Sequence, residues 1–262
     1  MHLKTRSRLG HLGPWKAFSR FGLLPFAFLL PVQPSLAAPD PAASLMLTET
    51  QLTSRPATIY VHTVLDPATH RISVKSFPRR VEVAEIAAKV ECNGISITGG
   101  FSRGSGKNLQ PEGLVRTASG EVSHLASYSD GGVLSLAQNS ALIVRVAKWR
   151  QHPTAAEMAL QGRPLLVFDG AIDEPLNRPE RLNRVGVGIL SDGHIAFIGA
   201  FTRTNKAASL REFAREAKAI LGPKLMVLLN LDGGPSAFMR SLSQTYQPSP
   251  GAVTSYLCAE RR

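Results

Sequence analysis

The sequence predicts a mixed α/β fold rich in β-structure: one compact domain with a central mixed sheet and flanking helices. Three observations carry this. Short apolar runs rich in β-branched residues recur between turn residues. One segment, 209–222, has clean helical spacing. One run, LMVLLNL at 225–231, is nearly all apolar and so must be a strand covered on both faces. The 262 residues are 44% apolar and 19% charged, which excludes a disordered chain, a coiled coil and a collagen-like repeat.

In chain order, TIYVHTVL at 58–65 and HRISVKSF at 70–77 read as two strands around an Asp66-Pro67 turn. Apolar positions 83, 86, 87 and 90 have the spacing of a short helix. Residues 94–98 form a short strand, and the polar, glycine-rich 102–113 a long loop of the kind that builds binding sites. Two short strands flank a Gly120 turn, and ALIVRVAKW at 141–149 reads as a buried strand. Pro153 and Gly162 bracket an expected helix over 154–161. RPLLVFDG at 163–170 is a strand ending at Asp169-Gly170. Residues 185–201 make a hairpin about Asp192-Gly193. Ser209 with Glu212 forms a capping box for the helix carrying Leu210, Phe213, Ala214, Ala217, Ile220 and Leu221, which Gly222-Pro223 ends.

The net charge of +11 suggests a nucleic-acid partner until its location is considered. Lys4, Arg6, Arg8, Lys16 and Arg20 precede a 12-residue apolar run, 21–32, and a small-residue site ending at Ala37. This is the order of a signal peptide, 1–37, and the run is short of the ~20 residues that span a bilayer. An exported protein, periplasmic or extracellular, is expected, with 38–57 as a lead-in and 58–262 as the domain. Without those five basic residues the net charge falls from +11 to +6. No block of like charge, zinc-finger spacing or aromatic RNA-binding motif remains, so no nucleic acid is expected. Cys92 and Cys258 are too few for a four-thiolate metal site; in an oxidising compartment a disulfide between them would tie the C-terminal tail to the middle of the domain.

Several clusters could carry chemistry. NLDGGPSA, 230–237, delivers Asp232 from the end of a buried strand, with Gly233 and Gly234 allowing close backbone approach and Ser236 able to bond a ligand. An Asx turn would use the same residues. Thr98, Gly99, Gly100 and Phe101 repeat the form: apolar strand, two glycines, polar loop. Asp169-Gly170 stands near Asp173, Glu174, Arg178, Arg181 and Arg184, carboxylates and guanidiniums suited to acid/base work or anion binding, or to a solvated surface loop. GFSRGSGKN lacks the phosphate-loop spacing, the histidines lack paired ligand spacing, and Ser236 lacks a nucleophile elbow. No cofactor is implied and no metal is assigned.

Read together, ITGGF at 97–101, the P-x-G-L-V at 111–115, RPLLVFDG, RVGVGILSDGHIAFIGAF, SLREFAREAKAILG and NLDGGPSA resemble, in order and spacing, the phosphodiester glycosidase family. The resemblance covers roughly residues 58 to 257. It implies an exported hydrolase, a glycosidase that cleaves a sugar-1-phosphodiester or related bond in a carbohydrate or phosphate-linked glycan. By motif position it carries Arg184, Asp232, Gly233 and Gly234, then Asp169 and Gly170, then Gly99, Gly100 and Phe101. Thr98 stands where the family has asparagine, and threonine lacks the amide's paired donor and acceptor. A non-enzymatic module binding glycans or wall polymers through the same pocket is the competing expectation.

Overall fold

The structure, a computed structural model, describes residues 45–151, 156–173, 176–247 and 251–262. The leader expected over 1–37 lies outside them. Three sheets share one core. The first runs Thr48–Gln51, Ile59–Leu65, Ile195–Phe201, Arg184–Leu190, Leu225–Asn230, Leu165–Phe168, Ala171–Ile172. The second runs Ser140–Arg145, Gly132–Ala137, Met158–Gly162, Val115–Thr117, Gly120–Ser123. The third runs Thr245–Tyr246, Met239–Arg240, Ile95–Thr98, Ala252–Arg261, His70–Glu82. The α/β, β-rich class is as expected; the pairings, expected to be mixed, are antiparallel throughout among the described residues.

Strand alternation sorts side chains between faces. Val61, Val185, Val187, Phe197 and Leu229 of the first sheet meet Leu134 and Leu160 of the second, and Ile97 and Leu257 of the third, in the shared core. The outer faces are covered separately. Helix Leu210–Leu221 lays Phe213, Ala214 and Ala217 on Tyr60, Ile198 and Leu228, so the run at 225–231 is covered on both sides as predicted. Helix Val146–Gln151 places Val146 and Trp149 on the second sheet. The segment Val83–Lys89, one turn of 3-10 followed by one of α-helix, places Val83 and Ile86 on the third, where Cys92 and Cys258 form the expected disulfide. The capping box at Ser209 and Glu212 forms as read from the sequence.

Three expectations need correction. The segment expected as a helix over 154–161 is strand Met158–Gly162 where it is described; 152–155 lie outside the described residues. Its backbone pairs with Gly132–Ala137 on one side and Val115–Thr117 on the other, and this long-range pairing outweighs the local proline and glycine signals. The strand expected to Trp149 ends at Arg145, where the chain turns helical so that Val146 and Trp149, three apart, share one face. The lead-in contributes a strand, Thr48–Gln51, to the first sheet, with Leu47 in the core, so the folded body starts ahead of residue 58.

Candidate active site

Strand Leu225–Asn230 ends at the site. Its pairing with Arg184–Leu190 sets Gly186 opposite Asn230 and Val187 opposite Leu229. Beyond the ladder, the Leu231 N–H donates to the Val185 carbonyl and the Gly234 N–H to Asn183. The turn needs its glycines: Gly234 has φ +59°, and a Cβ on Gly233 would lie 2.7 Å from the Asn183 carbonyl oxygen. The Asp232 N–H donates to the Gly99 carbonyl at 3.1 Å, which binds this turn to the second predicted loop.

Asp232 keeps a partly exposed edge, but its carboxyl is embedded. Desolvation raises its pKa to about 7, against weaker stabilisation of the anion by the Ser236 hydroxyl and the Gly233 N–H. The Ser236 Oγ also donates to the Ala252 carbonyl at 2.9 Å. A hydroxyl has one proton, so its support of Asp232 is divided. The remaining influence is Glu112, whose negative charge raises Asp232 further.

Glu112 was not singled out in the sequence, although it is the variable residue of the P-x-G-L-V motif. Its N–H donates to the Phe101 carbonyl at 2.7 Å. Its carboxylate lies 3.8 Å from the Arg163 guanidinium. Arg163 in turn lies over the Tyr128 ring at 4.1 Å and the Phe101 ring at 5.6 Å from their centroids. Burial, then the facing Glu112, raise the Tyr128 hydroxyl to about 12; the hydroxyl faces Glu112 without reaching ordinary hydrogen-bond geometry.

The side chain of Gln161 fixes this arrangement. It is buried, accepts from the Leu114 and Ala126 N–H groups at 3.0 and 2.9 Å, and donates to the Ala126 carbonyl at 3.0 Å. The loop carrying Glu112 is thereby tied to the segment leading to Tyr128. Asn230 ties the third segment, its Nδ2 donating to the Arg163 carbonyl at 2.7 Å while its Oδ1 is buried without a partner. Each member of the Glu112–Arg163 pair lines a cavity of its own. One, of about 640 Å³, is lined by Glu112; the other, of about 460 Å³, by Arg163 and Tyr128. Asp232 lines neither wall. A larger cavity of about 770 Å³, beside Arg55, Phe201 and Tyr246, contains none of these residues.

The other predicted residues fall in different places. Thr98 is fully buried; its hydroxyl donates to the Ser236 carbonyl at 2.9 Å and accepts from the Phe238 N–H at 2.8 Å. It staples the Asp232 turn. The Gly99 N–H donates to the Ser255 carbonyl and the Gly100 N–H to the Ser255 hydroxyl, so both donors are used inside the fold and do not face a ligand. Phe101 joins the cluster as the ring facing Arg163.

Arg184 is buried, with Nε donating to Ala208 and Nη2 to Glu180 carbonyls at 3.1 and 2.8 Å; desolvation lowers its pKa to about 10. Its guanidinium holds the chain together rather than meeting Asp232. Asp169 and Gly170 form the exposed two-residue turn between Leu165–Phe168 and Ala171–Ile172, with φ 51° and 76°. The Gly170 N–H donates to Met226, at the opposite end of the strand that leads to Asp232. Six strand residues at about 3.3 Å each put that turn roughly 20 Å from Asp232, outside any shared site.

Among the described residues, the one group of three ligand-type side chains within reach of a common ion is Cys92, Cys258 and Glu260, and the disulfide occupies both sulfurs. No helix among the described residues is long and apolar enough to cross a membrane.

Comparison with known proteins agrees with this architecture. The structure is similar to the zebrafish N-acetylglucosamine-1-phosphodiester alpha-N-acetylglucosaminidase catalytic domain, auto-inhibited by its pro-peptide, at TM-score 0.62 and 15% identity over 83% of this chain and 82% of that one. It is also similar to a putative exported protein of Burkholderia pseudomallei (TM-score 0.60, 12% identity, 77% and 74% covered). A hypothetical protein from Synechocystis is similar at TM-score 0.58 and 13% identity, with 82% and 61% covered. At these identities the likeness is one of fold. No curated protein sequence matches significantly. The phosphodiester glycosidase family profile matches residues 93–258, more than half of the chain and the stretch that holds Glu112, Tyr128, Arg163 and Asp232, and the chain belongs to that family.

Proposed function

We propose that the protein hydrolyses the glycosidic bond of a sugar-1-phosphodiester, with Asp232 as general acid and Glu112 as the second carboxylate. The observation that carries this reading is the Asp232 carboxyl, raised to about 7 and placed within electrostatic reach of Glu112. A carboxyl that is still partly protonated at neutral pH can deliver a proton; one near 4 cannot.

In this scheme the bond between the anomeric carbon and the phosphate oxygen breaks. The departing oxygen takes the Asp232 proton, water adds at the anomeric carbon, and the water proton passes to Glu112. The products are a free sugar and a phosphomonoester. Arg163, already beside Glu112 and held on the Tyr128 face, supplies the guanidinium for the phosphate. Thr98, Ser236 and the paired glycines hold the Asp232 turn; Arg184 braces the chain below it. The leader at 1–37 would send the protein out of the cytoplasm, where phosphate-linked glycans of the envelope are the available substrates.

The test uses α-glucose-1-phosphoglycerol, with sugar release followed by NMR. Release that is lost in a folded Asp232→Asn variant supports the assignment, and the anomer formed first gives the stereochemistry. Binding without release, across sugar-1-phosphodiesters and in the unsubstituted protein, would instead support a glycan-binding module.

A further inference from the structure

The 640 Å³ cavity beside Glu112 is larger than one phosphate needs and carries an excess of positive charge. Arg79 and Arg80 reach it from strand His70–Glu82, and Arg103 from the short strand Ser102–Arg103. Glu112 is the one carboxylate on its wall, and Arg163 is already beside it. Arg80 pairs with Glu82, whereas Arg79 and Arg103 form no ion pair among the described residues. His124, at the rim, pairs with Glu121. Two unpaired guanidiniums on separate strands therefore face one space next to Glu112, the proposed second carboxylate. Arg103 also acts on the Tyr128 hydroxyl, so the positive charge continues from this cavity to the neighbouring one.

Guanidinium forks match phosphate oxygens in bidentate geometry. The exposed Gln110 amide on the same wall can meet sugar or polyol hydroxyls, whereas the Ser76 and Thr254 hydroxyls are bonded within the fold. Phe77, the ring on this wall, is occupied against Tyr256 at 4.9 Å between centroids. Phe77 is thereby withdrawn as a stacking platform for nucleic-acid bases, and the exposed His124 ring at the rim is held by Glu121, which favours a saturated phosphate-bearing backbone.

We infer that this cavity is a second anion subsite, holding the next phosphate of the substrate, and that the substrate is a glycan chain bearing at least two phosphodiesters. The inference rests on the glycosidase reading for which group lies at Glu112, but binding and turnover can be read apart.

The experiment uses the full chain carrying Asp232→Asn, so that bound ligand is not cut. Calorimetry compares α-glucose-1-phosphoglycerol with the same compound extended by further glycerol-phosphate units. The extended ligand binds about tenfold more tightly or better, as two charge-assisted contacts imply. Adding Arg79→Ala and Arg103→Ala together brings it to the level of the short ligand, while Arg215→Glu, an equal charge change on the exposed face of the capped helix, leaves the preference in place. Equal affinity for both ligands overturns the subsite, as does a preference that survives loss of both arginines. Equally tight, arginine-dependent binding of a single-stranded oligonucleotide of matched charge overturns the assignment to a glycan. Failure of the glycosidase reading shows separately, as an absence of sugar release from the unsubstituted chain with this binding intact.

Discussion

Asp232 is the proposed general acid, and its proton has a testable sign. Its pKa lies above the ordinary 3.8, at about 7, so the folded state holds a proton that the unfolded state releases. Its contribution to stability is therefore greatest below 3.8 and is lost as pH rises to about 7; Asp232→Asn removes that part of the pH dependence of unfolding. The same substitution should lower kcat by ~10²–10⁴, the usual range for loss of a general acid. Two neighbours move the alkaline limb of the rate profile in opposite directions. Glu112→Gln removes a charge that raises Asp232, so the limb shifts below its value near 7, and turnover falls as well. Ser236→Ala removes a hydrogen bond that lowers it, so the limb shifts upward. Measured pH profiles of kcat/KM for the three proteins check both directions.

Part of this was legible in the sequence. Asp232 announces itself because a nearly all-apolar strand stops at a carboxylate and two glycines. Glu112, Arg163 and Tyr128 do not, because their meeting depends on three segments brought together by Gln161 and Asn230, and no local spacing encodes that. Asp169-Gly170 has the same look as Asp232-Gly233, a strand ending in Asp-Gly. Strand direction separates them: antiparallel neighbours end at opposite edges of a sheet, a fact invisible until the pairing is known.

At the scale of the element, the site depends on ties between loops more than on any helix. Gln161 sits on strand Met158–Gly162 with its amide in contact with the backbone of both loops it joins. Gln161→Ala leaves buried N–H and C=O groups unpaired and should cost about 2–4 kcal/mol in urea unfolding, with loss of activity beyond what stability explains. The strand itself was expected as a helix, and the reason is physical: Pro153 and Gly162 give helix punctuation, but all five residues of Met158–Gly162 are buried between two strands. The capped helix was legible in full, since its stripe of Leu210, Phe213, Ala214 and Ala217 and its capping box are local features.

At the scale of the molecule, three sheets close around one core and the C-terminal strand ties it to segments far back in the chain. Strand Ala252–Arg261 pairs with both His70–Glu82 and Ile95–Thr98, and Cys258 is joined to Cys92 across 166 residues. Closing a loop of that length restricts the unfolded chain strongly. Replacing both cysteines by serine should destabilise the protein by about 2–5 kcal/mol, read by thermal unfolding. Gly99 and Gly100 bond Ser255 of that same strand, so the loss should also loosen the loop against the Asp232 turn and reduce turnover below the melting range.

The most direct test of the glycosidase assignment is hydrolysis of α-glucose-1-phosphoglycerol in water labelled with heavy oxygen. The account requires the label on the anomeric hydroxyl of the released sugar, with glycerol phosphate unlabelled and the rate lost in Asp232→Asn. Label on the phosphate, which means cleavage between phosphorus and oxygen, or an undiminished rate in the variant, would contradict it.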